Sequence, residues 1–249
     1  TAYRRQRQMC IRDSALKGNN RFECIFTDVA ELDICNAEAV KQIIADNHID
    51  YIVNCAAYTQ VDKAEDNAEL CKKINTDAVE NLARAAADYG ARMIHISTDY
   101  VFNGRGYRPY TEDMVPDPQS VYGSTKLEGE KILTDICPES IIIRTAWLYS
   151  PYGNNFVKTM LHLGEEREEL SVVADQIGTP TCAADLAQAI LVILQADTFV
   201  PGTYHFSDEG VCSWYDFTVT IHRLAGITTC RVTPVSYTHL RAHETKANL

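Results

Sequence analysis

The stretch from Arg92 to Lys126 leaves the chain little freedom. It opens with the apolar run Arg92-Met93-Ile94-His95-Ile96-Ser97 and continues as Thr98-Asp99-Tyr100-Val101-Phe102. A short apolar run bounded by polar residues predicts a buried strand, here one that delivers hydroxyls at its C-terminal end. After a loop punctuated by Gly104, Gly106, Pro109, Pro116 and Pro118 comes Ser120-Val121-Tyr122-Gly123-Ser124-Thr125-Lys126, read as the start of a helix. Residues i and i+4 share one helix face, so the Tyr122 phenol and the Lys126 ammonium become neighbours. A free Tyr has a pKa of about 10 and is a poor acid at neutral pH. A cation beside it favours the phenolate and eases proton exchange. With a strand-end hydroxyl to hold a carbonyl oxygen, these are the parts needed to reduce a ketone once a cofactor supplies hydride. The Tyr-x-x-x-Lys pair alone is a weak signal in a chain with 13 Tyr. The order of strand, Ser-Thr-Asp, loop and helix start is what gives it weight.

The flanking sequence repeats the alternation of strand and helix. Arg21 to Phe26 reads as a strand, the second of the sheet. Asn36 is placed to cap a helix over Ala37 to Asn47, with Val40, Ile43 and Ile44 on its apolar face. Asp50 to Cys55 is a second run suited to a parallel strand buried on both faces. Asn67 to Tyr89 is the clearest helix, with Leu70, Ile74, Ala78, Leu82 and Ala86 at four-residue intervals and Gly90 to end it. Asn75 lies at the edge of that stripe and reads either as a brace for the central strand or as a satisfied polar core residue. His95 reads as a packed strand residue. Further on, Ile141 to Ile143 is a strand, Asn154 to Gly164 an amphipathic helix and Cys182 to Gln195 another. Gly202 to Ser207 is a strand, and Ser213 to Ala225 is a helix with Trp214, Phe217, Ile221 and Leu224 inward.

Composition narrows the function class. Apolar residues make up 46% of 249, enough for a core, and no run reaches the roughly 18 to 20 residues of a membrane span. The nine Cys are scattered without a Cys-x-x-Cys pair, which argues for reduced thiols in the cytoplasm rather than a disulfide framework or zinc site. A formal net charge of -11 disfavours nucleic acid and anionic membrane as partners. The two ends differ from the middle. Thr1 to Ser14 carries four Arg against one Asp, and Ser236 to Leu249 one Arg and one Lys against one Glu. Both are read as segments foreign to the fold, so the i, i+4 pair His239 and His243 is taken as coincidence rather than a metal pair.

The motifs Asn54-Cys55-Ala56-Ala57-Tyr58-Thr59, Val61-Asp62-Lys63-Ala64-Glu65, Ser97 to Phe102, Arg144-Thr145-Ala146-Trp147-Leu148-Tyr149 and Gly153-Asn154-Asn155-Phe156 resemble those of the extended short-chain dehydrogenase/reductases. Within that family they are similar to the reductases of nucleotide-linked keto sugars, over about Arg21 to Val235. The resemblance implies an α/β fold, a doubly wound, Rossmann-like parallel sheet with a smaller C-terminal substrate lobe. It places the dinucleotide-binding domain at residues 15–146 and an incomplete, partly interleaved lobe at 147–235. It also implies a first strand and glycine-rich turn. The first glycine here is Gly18 and no Gly-x-x-Gly-x-x-Gly occurs, so that strand and turn are expected to be missing. By resemblance Thr98 holds the carbonyl oxygen, Tyr122 donates the proton, and Lys126 serves the phenol and the nicotinamide ribose. Asp33, Ile34, Ala56, Ala57 and Tyr58 fall to the cofactor, NADPH or NADH. Val61, Asp62, Asp99 and Trp147, with Thr98, fall to a dTDP-sugar. Without the family, Ala56 and Ala57 read as tight packing, Asp33 as a loop carboxylate by a helix cap, and Trp147 as core filling. Some members form homodimers with Mg2+ at the interface, and no residue here is assigned to that ion. Three other readings stay open: a different nucleotide-sugar reductase, epimerase or dehydratase; a non-catalytic cofactor-binding subunit similar to the methionine adenosyltransferase beta subunit; and a chain truncated at both ends, inactive for want of its first strand and the end of its substrate lobe.

Overall fold

The structure, a computed structural model, describes residues 22–237. The expectations for residues 1–14, for Gly18 and for the tail from residue 238 onward, His239 and His243 included, lie outside the described residues. In chain order the elements are α1 (Ala37–Asp46), β1 (Tyr51–Asn54), α2 (Val61–Asp66), α3 (Ala68–Lys72), a π turn (Lys73–Asp77), α4 (Ala78–Tyr89), β2 (Arg92–Thr98), a 3-10 turn (Asp99–Val101), α5 (Val121–Ile136), β3 (Ile141–Thr145), β4 (Leu148–Tyr149), α6 (Phe156–Glu166), β5 (Glu169–Val173), β6 (Ile177–Gly178), β7 (Thr181–Cys182), α7 (Ala183–Gln195), β8 (Gly202–His205), β9 (Cys212–Ser213), α8 (Trp214–Ala225) and β10 (Arg231–Val235). They fall into two compact units. One comprises the described residues through Thr145 with Ala184–Phe206, the other Ala146–Ala183 with the described residues from Ser207 onward.

The first unit is built on a parallel sheet in the order β1-β2-β3-β8. Parallel strands have both faces covered, which is why these runs are apolar nearly throughout: Met93, Ile94 and Ile96 have no exposed surface. Ile52, Met93 and Ile142 join Val40, Ile44, Leu82, Ala86 and Leu133 of α1, α4 and α5 in one core. Asn36 caps α1, its Oδ1 accepting the Ala39 N–H, and Gly90 ends α4 with φ of 73°, a left-handed conformation that glycine adopts at no steric cost.

Three expectations are corrected. The single helix over Asn67 to Tyr89 is interrupted by the π turn, whose extra residue shifts the phase of the helix face. Leu70, ahead of the turn, is therefore 48% exposed, and Cys71 takes the buried place with 0%. Arg21 to Phe26 is not a strand over its described part: residues 22–28 form no ladder with any described strand. They flank a cavity of about 620 Å³ shared with β1 and with Ala187, Ile190, Leu191 and Leu194 of α7. Leu224, expected inward, is 80% exposed; it falls at the edge of the apolar stripe in the last turn of α8, and His222 is buried instead.

In the second unit β5 pairs with β10 and β4 with β7, both parallel, while β6 and β9 are antiparallel. Met160, Leu170, Val172 and Ile221 form its core, with Phe156, Trp214 and Phe217 packed on it. A capping box between Ser213 and Asp216 starts α8, satisfying two of the free N–H groups at once.

Candidate active site

Thr98 closes β2 and is 5% exposed. Its hydroxyl accepts the Tyr100 N–H at 3.2 Å and donates to Asp99 Oδ1 at 3.1 Å. Its neighbour across the ladder is Thr145. The Oγ1 of Thr145 and the Oγ of Ser97 are buried with no hydrogen-bond partner among the described residues. Polar groups thus collect at the C-terminal ends of parallel strands, where open α/β sheets take their ligands. Loss of water around the Asp99 carboxyl pushes it up to about 6, against the hydrogen bonds from the Thr98 hydroxyl and from N–H groups that lower it.

α5 begins where expected, with Ser120 Oγ accepting the Gly123 N–H. Tyr122 is 6% exposed, its ring edge-on to Tyr100 with centroids 5.5 Å apart. A Cβ at Gly123 would run into the Tyr100 carbonyl. The glycine therefore lets the first turn of α5 lie on the 3-10 turn, and this contact sets Tyr122 beside Tyr100. One turn on, Lys126 is 1% exposed. Its Nζ donates to the Ile96 carbonyl at 2.8 Å and lies 3.0 Å from His95 Nε2. Beyond the imidazole, Asn54 Nδ2 lies 3.0 Å from His95 Nδ1, and Asn54 Oδ1 accepts the Ala56 N–H at 3.0 Å. A further turn along α5, Glu130 forms a buried fork with Arg144, at 2.7 Å to Nη2 and 3.1 Å to Nε.

The segment after β1 is held to α5 by the π turn. Asn75 Oδ1 accepts the Tyr58 N–H at 2.8 Å, Asn75 Nδ2 donates to the Tyr58 carbonyl at 3.2 Å, and the same amide reaches Thr125 Oγ1 at 3.3 Å. Tyr58 and Val61 consequently pack in one cluster with Tyr122. Ala57 is buried and Ala56 half-buried at the end of β1, while Asp62 is exposed on the first turn of α2. Asp33 and Ile34 stand apart from this group. Asp33 Oδ1 accepts the Cys35 N–H, and the Ile34 side chain sits in the core with α1 and α4. Trp147 belongs to the second unit, at φ 45°, stacked on Trp214 with centroids 3.4 Å apart and against Gly178. Among the described residues, no cluster of His, Cys, Asp and Glu is arranged to hold a metal ion, and no helix is long and apolar enough to cross a membrane.

Sequence reasoning missed the contacts of His95 and the Glu130–Arg144 pair. The sequence marks the residues but not their pairing: Tyr122, Lys126 and Glu130 recur at i, i+4 and i+8 of one helix, and His95 and Arg144 are polar residues inside apolar strand runs.

Comparison with known proteins identifies the family. A family model described as the RmlD substrate binding domain matches residues 13–247. The dTDP-4-dehydrorhamnose reductase of Escherichia coli is 46% identical over 211 residues, covering 80% of this chain and 70% of that protein. That of Aggregatibacter actinomycetemcomitans is 44% identical over 210 residues, covering 83% of this chain and 71% of that protein. The crystal structure of the Clostridium acetobutylicum dTDP-4-dehydrorhamnose reductase superposes with a TM-score of 0.89 at 47% identity, over 94% of this chain and 81% of that one. The Bacillus anthracis enzyme, solved in complex with NADP, gives 0.82 at 44% identity over 86% of this chain and 76% of that one. The residues that meet around α5 and the similarity of the whole chain lead to one assignment: the chain belongs to the dTDP-4-dehydrorhamnose reductase family.

Proposed function

We propose that the chain reduces the C4 ketone of dTDP-4-dehydro-6-deoxy-L-mannose to dTDP-L-rhamnose with NADPH. The observation that supports the reading is the tie between β2, which ends at Thr98, and α5: Lys126, one turn after Tyr122, donates to the Ile96 carbonyl of β2, and the Tyr122 ring lies edge-on to Tyr100. The residues present fit a dinucleotide and a polar substrate: small Ala56 and Ala57 at the end of β1, and buried hydroxyls at Ser97 and Thr145 without partners among the described residues. Ala56, Ala57 and Tyr58, with Tyr122 and Lys126, would hold NADPH, and Asp33 and Ile34 would meet its adenine end. Bound there, the cofactor would supply the hydride that the carbonyl carbon takes up. Thr98 holds the carbonyl oxygen as charge develops on it. Tyr122 delivers the proton that completes the alcohol, and Lys126, when charged, stabilises the phenolate left behind. Val61, Asp62, Asp99 and Trp147 would contact the sugar nucleotide. Residues 15–146 would form the dinucleotide-binding domain and 147–235 the substrate lobe.

The test is NADPH oxidation followed at its nicotinamide absorbance, with and without the keto sugar, on the chain and on Tyr122→Phe. Substrate-dependent oxidation that falls by about 10²- to 10⁴-fold in the Phe variant is the expected outcome, the range general acid catalysis supplies. Oxidation that ignores the sugar, or a Phe variant that keeps its rate, overturns the assignment of Tyr122.

A further inference from the structure

The Thr98 hydroxyl has one hydrogen and two acceptor lone pairs. The hydrogen goes to Asp99 Oδ1 at 3.1 Å, and one lone pair takes the Tyr100 N–H at 3.2 Å. A substrate carbonyl oxygen only accepts, so Thr98 can hold it only through that same hydrogen. An ionised carboxylate also only accepts. While Asp99 is ionised, the two oxygens therefore compete for one proton, and the charged carboxylate is the stronger acceptor. A protonated Asp99 changes the count. Its own O–H donates to the second lone pair of Thr98, and the Thr98 hydrogen can turn to the carbonyl. Burial favours this form: Thr98 is 5% exposed, and loss of water pushes the Asp99 carboxyl from 3.8 up to about 6.

We infer that Asp99 is a positioning residue that acts through Thr98: protonated, it frees the Thr98 hydroxyl to hold the substrate carbonyl oxygen, and ionised, it takes that hydroxyl for itself. The inference rests on the reductase reading and makes Thr98 a conditional donor within it. Asp99 keeps its proton throughout the reaction. Hydride at the carbonyl carbon and the proton from Tyr122 still complete the alcohol, and the charged Lys126 still faces the phenolate. The titratable groups around Asp99 are Tyr100 on its own turn, Tyr122 and Lys126 on α5, His95 lower on β2 and Cys71 of α3, which packs with Tyr122. Asp117, whose N–H meets the Val101 carbonyl of the same turn, is exposed. The causes that act on the Asp99 carboxyl are burial first, then the hydrogen bonds from the Thr98 hydroxyl and from the backbone of Asp99 and Tyr100.

The experiment is the pH profile of kcat/KM for the keto sugar, read as sugar-dependent NADPH oxidation on the full chain and on Asp99→Asn. This ratio reports groups of the free enzyme, and kcat those of the complex. In the unaltered chain kcat/KM should fall above about pH 6, by about tenfold per pH unit for one required proton. The fall in kcat should come at higher pH, because a bound carbonyl favours the form that frees Thr98. An Asn amide can present its nitrogen to Thr98 at any pH. Asp99→Asn should therefore lose this limb and exceed the unaltered chain on its alkaline side. A flat profile in the unaltered chain between about pH 6 and pH 8, or a limb that persists in Asp99→Asn, overturns the inference. A second arm reads no turnover: carboxyl carbon NMR of labelled aspartate, the Asp99 signal being the one lost in Asp99→Asn. In Thr98→Val the Asp99 titration should move to higher pH, since the ionised form loses a donor that favours it. An unmoved titration, or a downward shift, overturns the inference. A chain without sugar-dependent oxidation fails the reductase reading, and the carboxyl titration then decides the exchange between Thr98 and Asp99 by itself.

Discussion

β2 and residues 22–28 carry similar apolar runs and meet opposite fates. β2 is hydrogen-bonded on both sides, to β1 and to β3, and its side chains from Met93 to Thr98 are buried. Residues 22–28 pair with no described strand, and Ile25 and Phe26 are 46% and 38% exposed. Side-chain pattern nominates a strand, but a strand exists only where neighbouring backbone satisfies its N–H and C=O groups. β2 has two such neighbours and a helix on its face. The segment 22–28 faces a cavity of about 620 Å³ instead. The region around β2 should therefore respond to substitution as a closely coupled unit, and residues 22–28 as a surface.

The largest expected effect comes from the buried ion pair that ties α5 to β3. Glu130 and Arg144 side chains are 4% and 7% exposed. Glu130→Leu leaves the guanidinium buried without its counter-charge, which costs about 3–5 kcal/mol. Urea unfolding should show this as a lower midpoint with little change in slope. The double variant Glu130→Leu with Arg144→Met should recover most of the loss, since it removes the stranded charge as well. A single variant that costs less than about 1 kcal/mol would show that this side of the sheet is looser than its packing implies.

Asp99 tests the strand end through pH. Its carboxyl is shifted from the usual 3.8 to about 6, so between those values the folded chain binds more protons than the unfolded one. Its contribution is fully present below the unfolded value and is lost as pH rises through the folded one. Stability measured by thermal unfolding should accordingly fall between about pH 4 and pH 6 by this residue's share. Asp99→Asn should flatten that part of the profile and leave the rest unchanged. An unaltered profile would mean the carboxyl is hydrated and the end of β2 more open than described.

The same contrast explains what could be read in advance. The strand at Arg92–Thr98 and the helix start at Ser120 were legible because local pattern, cap and burial agree there. That Tyr122 and Lys126 share one helix face followed from periodicity, while their weight as a pair came from the order of strand, Ser-Thr-Asp, loop and helix start. The break in the helix at Asn75 was not legible, because a π turn is set by what its carbonyls meet; Gly129 of α5 presses so close that a Cβ there would strike the Asn75 carbonyl. Leu70 was misplaced for the same reason. The tie from Lys126 to His95 was hidden because it joins α5 to β2 over 31 residues of sequence, and no short-range spacing encodes it. The strand expected at Arg21 to Phe26 failed from the opposite cause: its sequence is suitable, but ladder formation depends on a partner that the segment does not itself specify.

The smallest expected effect closes the comparison. Ile25→Ala should change stability by no more than about 0.5 kcal/mol, the range for surface positions. Ile94→Ala, at a site with no exposure, should cost about 2–5 kcal/mol through lost burial and the cavity left behind. The residue type and the change are the same, so the difference isolates what the neighbours contribute. Hydrogen exchange gives a second reading, with the amides of β2 opening near the global unfolding free energy and those of residues 22–28 exchanging at far lower cost. If Ile25→Ala proved as costly as Ile94→Ala, residues 22–28 would have to lie in a ladder after all, and the cavity beside β1 would have to be closed in solution.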